Sequence, residues 1–121
     1  MKKEALRLRI VNTISSAGLA DVKSDRVKQG KIYCLQVTTW EIDKATSGGN
    51  TRCRLFIDGH GYKHYFGEQD GPSANTLYWW KEPIWLVPGE ALGLEVDQAQ
   101  ASTAVNMYAT GYWVQAGEGI G

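Results

Sequence analysis

Apolar and polar side chains alternate with a period of two through most of this chain. Over residues 5–14, Leu6, Leu8, Ile10 and Ile14 fall on one side and Arg7 and Arg9 on the other. That is the pattern of a half-buried strand. Glu4, Ala5, Leu6 and Arg7 are good helix formers, but the β-branched run Ile10-Val11-Asn12-Thr13-Ile14 decides for strand. Residues 15–30 read as a weakly structured connection. A strand over 31–42 places Tyr33, Leu35, Val37 and Thr39 on one face, and a polar loop covers 43–50. A strand over 51–58 turns Cys53, Leu55 and Ile57 inward and Arg52 and Arg54 outward. Asp58-Gly59-His60-Gly61 is a tight turn, since Asp-Gly supplies the positive φ that hairpins need. A short strand over 62–66 leads to a second polar loop over 67–75.

Residues 76–87 are extended and interrupted at Pro83, which cannot donate to a ladder and marks an edge or a bulge. Pro88-Gly89-Glu90 turns the chain. Leu92, Leu94 and Val96 alternate with Gly93, Glu95 and Asp97, a loop covers 97–104, and a long alternating strand covers 105–114. The pattern predicts about seven or eight strands and no helix, which is an all-β, single-domain antiparallel β-sandwich of jelly-roll type. The domain covers residues 1–121, with a basic strand or arm over 1–14 and a flexible glycine-rich tail over 115–121.

Length and charge narrow the picture. At 121 residues the chain buries a core without metal or disulfide support. Lys+Arg and Asp+Glu both number 13, so no global field draws in a polyanion and nucleic acid is not an expected partner. The cations gather early: Lys2, Lys3, Arg7, Arg9, Lys23, Arg26, Lys28 and Lys31 all precede residue 32. No run reaches the ~20 apolar residues of a membrane helix. Charges interrupt the first residues too often for a secretory signal, so a cytosolic site of synthesis is expected. If 31–42 and 51–58 pair as a hairpin, Cys34 and Cys53 sit roughly 20 Å apart in register, far beyond disulfide reach. Both are expected to be buried free thiols.

Candidate chemistry is thin. Asp58, His60 and His64 share a face and could hold a metal, but Asp58 is already explained by its turn, so no metal site is assigned. There is no Gly-x-Ser-x-Gly elbow, and a strand-borne Cys34 has no local His. Glu82, Glu90, Glu95 and Asp97 cluster in sequence, and Glu95 and Asp97 share a polar strand face. A glycosidase pair needs raised acidity constants from an apolar setting, and outward charge on a half-solvated strand explains these residues. Gly48-Gly49 precedes a strand, so it cradles no phosphate. No enzyme activity and no cofactor are expected.

The aromatic residues are the strongest unusual signal: five Trp and six Tyr in this length. Trp79 and Trp80 are adjacent, so in a strand they point to opposite faces. The same holds for Tyr112 and Trp113. One of each pair is left for solvent or a partner. Trp79, Trp80 and Trp85 around Pro83, with Tyr112, are therefore expected to form an intersubunit interface in which several copies of the chain pack together, with Lys2, Lys3, Arg7 and Arg9 as a docking arm. The alternative is a carbohydrate-binding module in which Trp40, Trp80, Tyr62 and Tyr65 stack on sugar rings.

Four segments carry a resemblance: 31–37 (Lys-Ile-Tyr-Cys-Leu-Gln-Val), 51–59 (Thr-Arg-Cys-Arg-Leu-Phe-Ile-Asp-Gly), 83–92 (Pro-Ile-Trp-Leu-Val-Pro-Gly-Glu-Ala-Leu) and 109–114 (Ala-Thr-Gly-Tyr-Trp-Val). They resemble successive strands of small jelly-roll proteins in tailed-bacteriophage virions, the capsid decoration and head or tail accessory type. In those proteins a Pro-Gly-Glu turn precedes a strand and a final x-Gly-Tyr-x-Val strand returns to the core. The resemblance covers roughly residues 28–114. It implies a non-enzymatic virion component, a homo-oligomer with a trimer favoured, bound to a capsid or other virion protein.

Overall fold

The computed structural model describes residues 2–45 and 50–116. Nine strands are found among them and no helix: β1 (Glu4–Ile14), β2 (Gly18–Lys23), β3 (Lys31–Ile42), β4 (Arg52–Gly59), β5 (Tyr62–Asp70), β6 (Tyr78–Trp80), β7 (Ile84–Leu86), β8 (Ala91–Ala99) and β9 (Thr103–Gln115). One sheet has the order β1-β9-β3-β6, with β7 also paired to β3, and the other has the order β2-β8-β4-β5. All pairings are antiparallel.

β6 and β7 act as one strand interrupted at Pro83, both laid along β3. Counted so, eight strands pair first with last, second with seventh, third with sixth, and fourth with fifth. The chain is one long hairpin rolled up, with successive strands mostly changing sheet. That is the jelly-roll topology expected from the sequence, and ladder pairing between neighbouring strands is what satisfies most of their backbone.

The two inner faces share one core. Leu35, Trp40 and Ile42 of β3, Leu55 of β4, Leu86 of β7, Leu92, Leu94 and Val96 of β8, and Val105 and Met107 of β9 are its buried members. Leu6, Leu8, Ile10 and Trp80 pack on its margin.

Several expectations are corrected. Residues 15–30 are not only connection: β2 occupies Gly18–Lys23, with Val22 buried and Leu19 exposed, too few apolar residues to give a readable period. β3 and β4 are not a hairpin, because they lie in different sheets. A bulge between Leu35 and Val37 reverses the face of β3, so Thr38, Trp40 and Ile42 point inward and Val37 points out. This is the effect of one extra residue in a period-two element. β5 runs on to Asp70 and β8 to Ala99, where loops were expected from 67 and 97. The β4–β5 turn is centred on His60 and Gly61, whose φ values are 54° and 81°, while Gly59 belongs to the strand. Of the expected tail, Gln115 ends β9 and the Ala116 N–H donates to the Gly30 carbonyl. Residues 117–121 lie outside the described residues, as do Gly48 and Gly49 of the 43–50 loop.

Gly111 is required where it stands. A Cβ there would lie 1.8 Å from the Cys34 carbonyl oxygen, just before the β3 bulge.

Candidate interaction face and the groups around it

Residues directly opposite in antiparallel strands present their side chains on the same face. Register across four strands therefore fixes the outer surface of the first sheet as a series of rows. One row is Arg9–Tyr108–Thr39–Trp79, from β1 across β9 and β3 to β6. Another is Ala5–Tyr112–Cys34–Trp85. Between them lies Arg7–Thr110–Val37. Trp79 is 58% exposed and Trp85 is 50% exposed, and Val37 is exposed as well. The Lys3 ammonium sits 4.5 Å above the Tyr112 ring, and that of Lys81 sits 5.1 Å from the Trp79 ring.

The structure thus brings Lys3, Arg7, Arg9, Trp79, Trp85 and Tyr112 onto one face. The basic residues are not a separate arm: β1 is paired with β9 from Glu4 to Ile14. Trp80 does not join them. It packs on the core margin, edge-on to Phe66 at 5.5 Å between ring centroids. Lys2 is held by Glu4 at 3.3 Å. Tyr108, Val37 and Lys81 join the face without having been singled out, since only the assembled register puts them there.

Beneath this face lies a thiol. Cys34 is buried and opposes both Tyr112 and Trp85, whose rings meet edge to face at 6.1 Å. A hydrogen bond with Cys34 pushes the Tyr112 phenol above its ordinary value. Cys53 lies in the core instead, where burial pushes its thiol up to about 12. Both cysteines are free, and the Cys53 thiol, held protonated by its burial, is a poor nucleophile.

The outer face of the second sheet is built differently. Its rows are Glu68–Arg54–Glu95–Asp21 and Tyr65–Phe56–Gly93–Lys23. The far end of the Phe56 ring lies against Gly93, with Tyr65 edge-on at 5.9 Å and the Lys63 ammonium 5.0 Å from the ring. Charges here pair with one another: Arg54–Glu68 at 2.7 Å, Lys63–Asp21 at 2.6 Å, Lys63–Glu95 at 3.2 Å, Arg26–Asp58 at 2.9 Å, Lys23–Asp58 at 3.2 Å and Arg52–Asp97 at 3.4 Å.

Glu95 is not the half-solvated charge its strand pattern predicts, being only 5% exposed. Burial pushes its carboxyl up, but hydrogen bonds from Tyr65 Oη at 2.5 Å and Lys63 outweigh this and hold it below the ordinary value. A carboxylate so held is a structural anion, not a proton donor near neutral pH. Asp58 is likewise held down by its hydrogen bonds from Lys23 and Arg26. Among the described residues, no group of three His, Cys, Asp or Glu is placed to hold a metal ion, and no helix is long and apolar enough to cross a membrane.

The four aromatic residues of the sugar-stacking alternative are dispersed. Trp40 is in the core, stacked on Tyr78 at 4.7 Å. Tyr65 is on the outer face of the second sheet, beside Phe56. Tyr62 stands at the β4–β5 turn near His64. Trp40 and Trp80 do share a cleft of about 460 Å³ between the edges formed by β5 and β6, with Leu55, Gly67, Gln69 and Tyr78.

No protein-family model matches this chain, and no curated protein matches it.

Proposed function

We propose that this protein is a non-enzymatic structural component of a bacteriophage particle, docking on an assembled capsid or other virion protein through the outer face of the β1-β9-β3-β6 sheet. One observation carries the reading. Two half-exposed tryptophans, Trp79 and Trp85, stand on the same sheet face as Lys3, Arg7, Arg9 and Lys81, which no ion pair among the described residues engages. Exposed Trp beside Arg is the composition of an interface core rather than of idle surface. A lone module of this size gains modest energy from such a patch, and many copies on a lattice multiply it. The resemblance of its strand motifs to virion jelly rolls supplies the particle, the virion location and the expectation of several copies, a trimer first.

Sedimentation tests this directly. A tagged chain expressed together with the genes that naturally accompany it is run through a sucrose gradient. Comigration with a megadalton particle is the expected result. A chain that stays at the top of the gradient, with particles present lower down, removes the proposal.

A further inference from the structure

The two outer faces differ in how their charges are used. On the β2-β8-β4-β5 face, Asp21, Asp58, Glu68, Glu95 and Asp97 each have a Lys or Arg of this chain within 3.4 Å. On the opposite face, no ion pair among the described residues engages Lys3, Arg7, Arg9 or Lys81. The strand acid on that face is Glu41, at its far end, in the row Val11–Asn106–Glu41, and Glu82 is an exposed acid next to Lys81 in the β6–β7 link. The chain as a whole carries equal numbers of acids and bases. Its positive surplus on one face is therefore a matter of placement.

We infer that the partner bound by this face is an acidic protein surface with an apolar centre, and not a second copy of this chain. The inference rests on the proposed docking role and names the chemistry of its partner. Charge complementarity sets both halves of it. Two copies joined face to face would bring Lys3, Arg7, Arg9 and Lys81 of each against those of the other, and like charges across an interface oppose association. Head to tail, the face would meet a surface on which Asp21, Asp58, Glu68, Glu95 and Asp97 are already engaged by Lys23, Arg26, Arg52, Arg54 and Lys63. Neither mode offers the four cations a matching group of free acids, since Asp70 is the one strand acid of that second face outside these ion pairs. A separate protein with surplus carboxylates does, and its apolar side chains would cover Trp79, Trp85 and Val37 between the two basic flanks.

The probes are three polyanions: a random glutamate–tyrosine copolymer, polyglutamate, and a single-stranded oligothymidylate, each immobilised and titrated with the intact protein. The copolymer is expected to bind most tightly, and binding weakens steeply as salt rises from about 50 to about 200 mM. Arg7→Glu with Arg9→Glu is expected to reduce binding about tenfold or more, while Arg7→Lys with Arg9→Lys retains it. Trp79→Ala with Trp85→Ala is expected to remove the advantage of the copolymer over polyglutamate and leave the salt dependence. Tighter binding to the oligothymidylate would overturn the inference in favour of a nucleic acid. Equal binding by the native and charge-reversed proteins, or no binding to either polypeptide, would also overturn it. The particle reading fails separately: a chain that binds the copolymer and never sediments with particles keeps the acidic partner and loses the virion.

Discussion

Trp79 and Trp80 are neighbours in sequence and opposites in structure. Trp79 stands across from Thr39 with more than half its surface exposed, while Trp80 stands across from Thr38 and packs on the core margin. Replacing each with alanine should separate the roles. Trp79→Ala is expected to leave chemical-denaturation stability within about 0.5 kcal/mol of the native protein. Trp80→Ala is expected to cost about 2 kcal/mol, less than a fully buried tryptophan because Trp80 is part-exposed. Equal losses at both positions would contradict the placement.

The Phe56–Gly93 contact is a second packing centre, outside the main core. A Cβ at position 93 would stand 2.3 Å from the Phe56 ring. Gly93→Ala is expected to destabilise by about 1–3 kcal/mol through overpacking, seen as a lower midpoint in urea with an unchanged slope. Combining it with Phe56→Leu should recover part of the loss, because the two effects meet at one contact.

Stability should depend on pH through the Glu95 network. The folded-state Glu95 carboxyl is held below its ordinary value of 4.5, so its contribution is present above that value and is lost as acid protonates it in the fold. Lys63 is shifted the other way: burial lowers it, but Asp21 and Glu95 more than compensate and hold it above 10.5. Its contribution is present below that value and is lost as the pH rises through the folded-state constant. Tyr65, raised by its hydrogen bond to Glu95, is lost on the same alkaline side. Thermal melts should therefore show a plateau around neutrality, with falls at both ends. Glu95→Gln should lower the plateau and flatten the acid limb, and an unchanged acid limb would show that other carboxylates control it.

The two thiols should respond differently to one substitution. In the native protein both are buried and should resist alkylation at about pH 8. Trp85→Ala uncovers the row over Cys34 and should make one thiol reactive, identified as Cys34 by peptide mapping. Cys53, deep in the core, should stay protected. Labelling of Cys53 first would place the opening elsewhere.

Architecture was largely legible because a rolled sandwich is built from period-two strands, and Leu6–Leu8–Ile10, Leu92–Leu94–Val96 and Val105–Met107–Ala109 carry that period openly. What escaped had physical causes. β2 is short, with Leu19 facing solvent. The bulge at Gln36 shifts the phase of β3 in mid-strand, so no single alternation describes it. The candidate face was half readable. Sequence singled out Trp79, Trp85, Tyr112 and the early cations, but their union depends on β1 and β6 flanking the same two strands, a relationship spanning about the whole chain. The ion-paired face was not readable, since Lys63, Glu95 and Asp21 come from three distant segments.

Footprinting by hydroxyl radicals tests the central claim most directly, comparing the free protein with the same protein recovered from the particle fraction. Trp79, Trp85, Tyr108 and Tyr112 should become protected together, while Tyr62 and Tyr65 keep their free-state reactivity. Protection centred on Tyr62 and Tyr65, with Trp79 and Trp85 still open, would contradict it.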